Sequence, residues 1–514
     1  MKKQACNPFL PSDVYIPDGE PHVFGDRVYL FGSHDKENGD SYCMLPYEIW
    51  SAPVDDLSDW TSKGVNYRAE QDPLAAKENA YMYAPDCVRG NDGRYYLYYC
   101  LSGYKGNGGY NGPIGVAVCD TPDGKYEFYG HVRNADGTPL KRFVPFEPAV
   151  MNDDGVIRLY YGTWYPFDEL PKITCPIMRK VQAGMFGKTA AEIKAEKNGV
   201  MGAVTCVLSD DMLTVKEPPK HIISPKTKGT PFESKIYPFG KCGHQLYGHG
   251  FFEGSSIRKI NGKYYFIYSS VNGHELCYAT SDYPDKGFVY GGVIVSNGDV
   301  GYKGRKEKDR LNHTATNHGS IENINGKWYV FYHRPTHGSD YSRQACAEPI
   351  EILPDGSIPQ VEMTSCGLNG GALKGNGVYP ATICCNLTNG KMPHGGNKRF
   401  KGLPMIAFDG QDRCLVNLKK GTVACYKYFD LANTKEIKIT ARGNGEIAIS
   451  CGESAPEKIF VSGNRWKPYQ AEITCSQSKS VLTFKIEKGT VDILSFSLIE
   501  KKLISQKRRC GKRP

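Results

Sequence analysis

The chain has 514 residues, 40% of them apolar and 12% aromatic, with a net charge of +9 spread along its length. That is more than one ordinary domain and enough apolar side chain for real cores, which excludes a disordered chain. No run approaches the roughly 18 apolar residues of a membrane span. The start "MKKQACNPFLPSDVYIPDGE" carries no apolar export segment, and basic residues cluster only in the tail "KKLISQKRRCGKRP", read as a disordered end over 502–514. The expectation is a soluble, cytoplasmic protein with neither nucleic acid nor membrane as partner.

In chain order, one element recurs five times: "HVFGDRVYLFGSHD" (22–35), "CVRGNDGRYYLYYC" (87–100), "AVMNDDGVIRLYYG" (149–162), "SIRKINGKYYFIYSS" (256–270) and "SIENINGKWYVFYHR" (320–334). Each joins a short strand to one of β-branched and aromatic residues through a Gly/Asn/Asp turn, the pattern of a β-hairpin. Aligned on Leu30, Leu97, Leu159, Phe266 and Val330, the copies lie 67, 62, 107 and 64 residues apart. Such spacing suits four-stranded blades, and a ring of blades covers faces that one hairpin cannot bury alone. A five-bladed β-propeller over 1–355 is predicted, in preference to a β-sandwich with accidental self-similarity. The long third interval implies an insertion at about 165–250, holding the one helical stretch, "KTAAEIKAEKNG" (188–199).

Three motifs point to other chemistry and are set aside. "GYKGNGGYNG" (103–112) lacks the register and following helix of a phosphate loop and reads as a flexible loop. Cys242, His244 and His249 lack the paired spacing of structural zinc. The eighteen cysteines contain no C-x-x-C pair, only the adjacent Cys384 and Cys385, and read as buried free thiols.

Just before each hairpin, where the chain enters its blade beside the axis, stands an ionisable residue: Asp18 in "YIPDGEP", Asp86 in "YAPDCV", Glu147 in "PFEPAV", Glu253 in "FFEGSSI" and His318 in "NHGSI". One such acid reads as a turn residue or cap. Equivalent positions in a propeller converge on one funnel, where carboxylates repel and shift one another's pKa values, an arrangement suited to acid–base chemistry. Acid–base hydrolysis pairs a proton donor with a water-activating base. Glu253, flanked by Phe251 and Phe252, suits the donor, and Tyr15, Tyr83, Trp164 and Tyr247 near the entries are candidates to stack on a ligand.

These hairpins, with "DGEPHVFGDRVYLFGSHD", "FEGSSIRKINGKYYFIYSS" and "NHGSIENINGKWYVFYHRP", resemble glycoside hydrolase family 43 over about residues 7–355. The resemblance implies Asp18 as general base, Glu253 as general acid and Glu147 as the residue that tunes the acid, although the third position is usually aspartate. It further implies that Asp86 and Arg343 bind sugar. His318 matches an axial histidine, placed beside substrate or beside a structural calcium, and no cofactor is required.

Past residue 355 a Gly-rich connection (356–399) leads to regular short strands such as "GTVACYKYFDL", "KEIKITARG" and "SVLTFKIE". They predict a β-sandwich over 400–501, and "YKYFDL" resembles carbohydrate-binding modules of family 6, with Trp466 and Tyr469 as the remaining aromatics. The all-β chain is thus expected to be an inverting exo-glycosidase acting on oligosaccharides with terminal arabinofuranosyl or xylosyl residues. The alternatives are an exo-galactanase or endo-arabinanase of the same family, or a non-catalytic glycan-binding propeller.

Overall fold

The computed structural model describes residues 4–76, 78–102, 109–164, 175–196, 199–223, 248–452, 454–475 and 477–500. Each of the five hairpins begins a separate antiparallel sheet, ordered as in the sequence. Glu20–Phe24 and Arg27–Phe31 start the first blade, Met82–Arg89 and Tyr95–Leu101 the second, and Ala149–Asp153 and Val156–Thr163 the third. Phe251–Ile260 and Lys263–Ser270 start the fourth, Ser320–Ile324 and Lys327–Pro335 the fifth. The first strands touch one another around the ring, and a parallel bridge between Gly19 and Gly319 joins blades one and five. The second strands are buried along nearly their whole length. A sheet wedged between two others has both faces covered, so aromatic residues such as Tyr98, Tyr160 and Phe266 lose essentially all exposure on either side.

The first four blades have four strands, as expected, but the fifth has three, ending at Arg343–Ile350. Its outer edge is covered by the start of the chain. The Asn7 amide donates to Ala347 O at 2.8 Å and to Glu348 Oε1 at 2.9 Å, and Ala347 N donates to Asn7 Oδ1 at 3.0 Å. The Phe9 amide donates to Ala345 O. An edge strand with open backbone groups is thereby satisfied by residues more than 330 positions away.

The extra length in the third interval is not one block. Two helices, α1 (Cys175–Phe186) and α2 (Ala190–Ala195), lie between the second and third strands of blade three, whose outer strands Gly202–Leu208 and Val215–Ile223 occupy much of the span read as insertion. α2 begins where the sequence indicated: Thr189 Oγ1 accepts from Glu192 N while Glu192 reaches back to Thr189 N. No helix among the described residues is long and apolar enough to cross a membrane. The fifteen cysteines described are all free, and all but Cys6, Cys119 and Cys425 are buried.

The remainder forms one ten-stranded sheet. Two long strands, Thr434–Cys451 and Ser480–Glu500, pair antiparallel along their length with three register shifts. Alternate residues such as Ile437, Ile439, Phe484 and Phe496 meet in one buried core, so the sheet curls round itself. The connection read as a linker takes part: Leu373–Lys374, Gly377–Pro380 and Asn386–Thr388 are strands of this sheet. Trp466 stacks on the Arg442 guanidinium and donates to Asp409, and Tyr469 bonds Ser462, so both aromatics expected to be available for sugar are engaged within the domain. The tail 502–514 lies outside the described residues.

Asn7→Ala removes four hydrogen bonds, counting that from Nδ2 to Thr364 O, and leaves buried groups of the fifth blade unpaired, which should lower stability by about 3 kcal/mol. Denaturant titration checks this, and a loss below about 0.5 kcal/mol would show that the N-terminal segment does not hold the ring closed.

Candidate active site

Asp18, Glu147, Glu253, His318 and Arg343 line a single cavity of about 550 Å³ at the mouth of the ring. Two backbone features turn the acids inward. Asp18 (φ 57°) and Glu147 (φ 49°) sit in the left-handed region, which breaks the strand path. Glu253 sits among register shifts at the start of its strand. Left-handed backbone at non-glycine residues costs free energy and persists where the surroundings hold it.

Asp18 is held from several directions. Its Oδ1 accepts from Arg343 Nη1 at 2.9 Å, and its backbone N–H donates to His333 Nδ1 at 3.0 Å. His333 Nε2 lies 2.5 Å from Thr316 O. A ring that accepts at Nδ1 and faces a carbonyl at Nε2 is neutral with its proton on Nε2, and burial indeed pushes its pKa down to about 3. Arg343 also forks onto Asp35, with Nε to Oδ2 at 2.8 Å and Nη2 to Oδ1 at 2.9 Å, and its guanidinium lies 4.8 Å from the centre of the Tyr42 ring. For Asp18, burial favours the neutral acid, but the Arg343 charge outweighs burial and holds the carboxyl below its usual range.

The other two acids shift the opposite way. Burial, then the charge of Asp18, raises Glu253 to about 8, with Arg343 opposing. Glu147 is raised well above its usual value by burial, by Glu253 and by Asp18. Its Oε2 accepts from Gly254 N at 2.7 Å. Gly254 has φ +72° and a Cβ there would stand 2.9 Å from the His318 ring, so only glycine brings this amide, the histidine and Glu147 together. His318 Nδ1 is 3.8 Å from Asp18 Oδ1 and 3.9 Å from Glu147 Oε2, beyond hydrogen-bond reach, and both of its ring nitrogens are buried with no hydrogen-bond partner among the described residues.

Two sequence expectations change. Asp86 does not line the cavity. A register shift between Tyr83 and Asp86 turns the side chain inside the ring, where it is fully buried and accepts from Cys87 N and Val150 N at 2.7 Å while its Oδ1 meets His22 Nε2 at 2.7 Å. It ties blades one, two and three together and has no edge free for sugar. Arg343 does reach the cavity, but its guanidinium is already engaged by Asp18 and Asp35. Of the candidate stacking aromatics, Tyr83 lines the cavity, Tyr15 and Trp164 are buried elsewhere, and Tyr247 lies outside the described residues. So do Cys242 and His244, while His249 pairs with Glu275 at 2.7 Å. The end of the glycine-rich segment forms a 3-10 turn, Gly109–Asn111, in the cavity wall.

Asp35, His333 and Tyr42 were missed by sequence reasoning. For His333 a signal existed: three places after the alignment residue the other four hairpins carry Ser33, Cys100, Gly162 and Ser269, all small, and only the fifth carries a large titratable side chain.

A propeller whose funnel gathers three carboxylates in opposed protonation states is the architecture of a glycoside hydrolase. Residues 6–358 match the sequence model described as Glycosyl hydrolases family 43, and the chain belongs to that family. It is 44% identical to a Xylosidase/arabinosidase of Thermoclostridium stercorarium over 97% of this chain and 99% of that protein. It is 30% identical to a Xylosidase/arabinosidase of Bacteroides ovatus over 69% of this chain and 96% of that one. A solved β-xylosidase/α-arabinofuranosidase from a compost microbial metagenome, in complex with xylotriose and in calcium-free form, is 26% identical with a TM-score of 0.50, covering 70% of this chain and 99% of that one.

Replacing Arg343 by methionine removes the charge that holds Asp18 ionised. The acid limb of the kcat/KM–pH profile should then move to higher pH by about one unit or more, measured on protein whose circular dichroism is unchanged. An unmoved limb would show that Arg343 does not set the protonation of Asp18.

Proposed function

We propose that the protein is an inverting exo-glycosidase releasing terminal pentose residues, α-L-arabinofuranosyl or β-D-xylosyl, from hemicellulose or pectin oligosaccharides. The observation that carries this reading is the split in protonation within one cavity: Asp18 is held as carboxylate by Arg343 while Glu253 keeps its proton to about pH 8. Glycosidic cleavage through an oxocarbenium-like transition state needs those two states at once. Glu253 protonates the departing oxygen as the bond to the anomeric carbon breaks, and Asp18 takes a proton from the water attacking the opposite face. Glu147 accepts from the amide of Gly254, the residue next to Glu253, and so orients the strand that carries the acid. The identity to the Thermoclostridium relative across the whole chain supports pentose release. Exo action is supported by the cavity walls: Met185 from α1, the Gly109–Asn111 turn and Asn397 stand around it.

The residues around His318 are a poor match for an axial calcium. Both His318 ring nitrogens lack a hydrogen-bond partner among the described residues, but calcium asks for six to eight oxygen ligands, and the nearest carboxylates already pair with Arg343 and the Gly254 amide. An ion there would keep most of its water shell, and no step of hydrolysis is assigned to it.

The test is release of 4-nitrophenol from the α-L-arabinofuranoside and the β-D-xyloside by the native protein and by Glu253→Gln. The variant should lose about 10²–10⁴-fold in kcat on natural oligosaccharides and less on the activated aryl substrates, because 4-nitrophenolate leaves with little help. Native kcat/KM should fall as pH rises through about 8, since Glu253 then loses the proton it donates. Proton NMR of the first-formed sugar should show the inverted anomer, and a retained anomer would overturn the single-displacement mechanism.

A further inference from the structure

The cavity wall is not built by the propeller alone. Asn397 lines it, yet the family match ends at residue 358, and Asn397 lies between Asn386–Thr388 and Met405–Phe408, both strands of the C-terminal sheet. The segment around it is fastened to the rim of blade five. Asp340 Oδ2 accepts from Gly396 N at 2.9 Å and from Lys398 N at 3.2 Å, while its Oδ1 is held by His313 Nε2 at 2.8 Å. On the far side Arg399 Nη2 donates to Gly39 O at 2.6 Å. Gly396, Lys398 and Arg399, pinned on either side of Asn397 with its φ of 57°, fix where its side chain stands.

The amide is oriented as well as placed. The Tyr42 hydroxyl donates to Asn397 Oδ1 at 2.8 Å, and the Tyr42 ring covers the guanidinium that holds Asp18. With Oδ1 occupied, the Nδ2 donors have no protein partner among the described residues and stand at an exposed position on the cavity rim. An oriented amide donor beside acid–base machinery matches the need of a sugar site, where hydroxyl oxygens must be recognised one by one.

We propose that Asn397 is a substrate-binding residue, donating from Nδ2 to a hydroxyl oxygen of the pentose in the cavity, so that the C-terminal domain supplies part of the active site. This rests on the pentosidase reading above. The Bacteroides relative is matched over 96% of its own length by only 69% of this chain, so relatives of about propeller length also occur. In this chain the extra domain narrows what the cavity accepts.

The experiment uses the full chain with Asn397→Ala and Asn397→Asp, the second keeping the acceptor for Tyr42 and removing the donor. KM for the 4-nitrophenyl pentoside that the native protein hydrolyses should rise about tenfold in both variants, the loss of one hydrogen bond, with kcat within about twofold. The inhibition constant of the free pentose should weaken by the same factor, a readout that a merely structural residue would not move. Native KM and inhibition constants in Asn397→Ala would overturn the proposal, as would native values in Asn397→Asp. If the native protein hydrolyses neither pentoside, the pentosidase reading fails separately. Asn397 is then judged by calorimetric binding of D-xylose and L-arabinose: tighter binding to native protein than to Asn397→Ala sustains it, and equal or no binding overturns it.

Discussion

The chemistry of the molecule depends on one buried guanidinium. Arg343 grips Asp35 with two parallel N–H···O bonds and reaches Asp18 with a third donor. A cavity with three acids would otherwise relax by protonating all of them, since burial disfavours every charge. One fixed cation beside Asp18 breaks that equivalence. Asp18 becomes the cheapest place for the negative charge, and that charge in turn keeps protons on Glu253 and Glu147. The opposed protonation states are therefore outcomes of a single electrostatic asymmetry rather than of three separately tuned sites.

The asymmetry is stable because Arg343 cannot move. Asp35 fixes its far edge, Tyr42 covers its face, and its own strand is the last of blade five, sealed by Asn7 and Phe9 from the start of the chain. Breaking a buried pair of this kind leaves an uncompensated charge, which costs several kcal/mol. Closing the ring and fixing Asp18 are thus mechanically the same event: the segment that completes the propeller also holds the strand carrying the arginine.

Much of this was legible in the sequence, and the reason is the repeat. Five hairpins with acids at the same offset give both the blade count and the funnel, since propeller symmetry converts equivalent positions into neighbours. The method fails where symmetry is broken. Asp86 has the right offset, but a register shift turns it into the ring, a displacement of one residue that no pattern of apolar positions records. Asp35 lies 308 positions from Arg343, and nothing local to "GSHD" marks it as an arginine partner. The three-stranded fifth blade was equally hidden, because its open edge is covered by an N-terminal stretch that forms no strand and has no strand pattern. The reading of 356–399 as a linker erred for a related reason: its strands are two to four residues long, too short to show alternation.

The bearing of the C-terminal sheet on the propeller explains how so remote a residue as Asn397 can stand at the site reproducibly. Arg413 of that sheet pairs with Glu37 of blade one, Nη2 to Oε2 at 2.6 Å. Arg334 of blade five donates to the carbonyls of Cys385 at 2.9 Å and Cys384 at 2.5 Å. Asp299 of the propeller takes hydrogen bonds from Met363 N at 2.7 Å and Asn386 Nδ2 at 3.0 Å, with Lys427 Nζ at 3.4 Å. Buried polar groups of this kind add little net stability, but each is costly if its partner is displaced, so together they permit one orientation and penalise the rest. An apolar interface of the same size would tolerate sliding. A polar one with paired partners does not, and that specificity is what a cavity wall carried by a second domain requires.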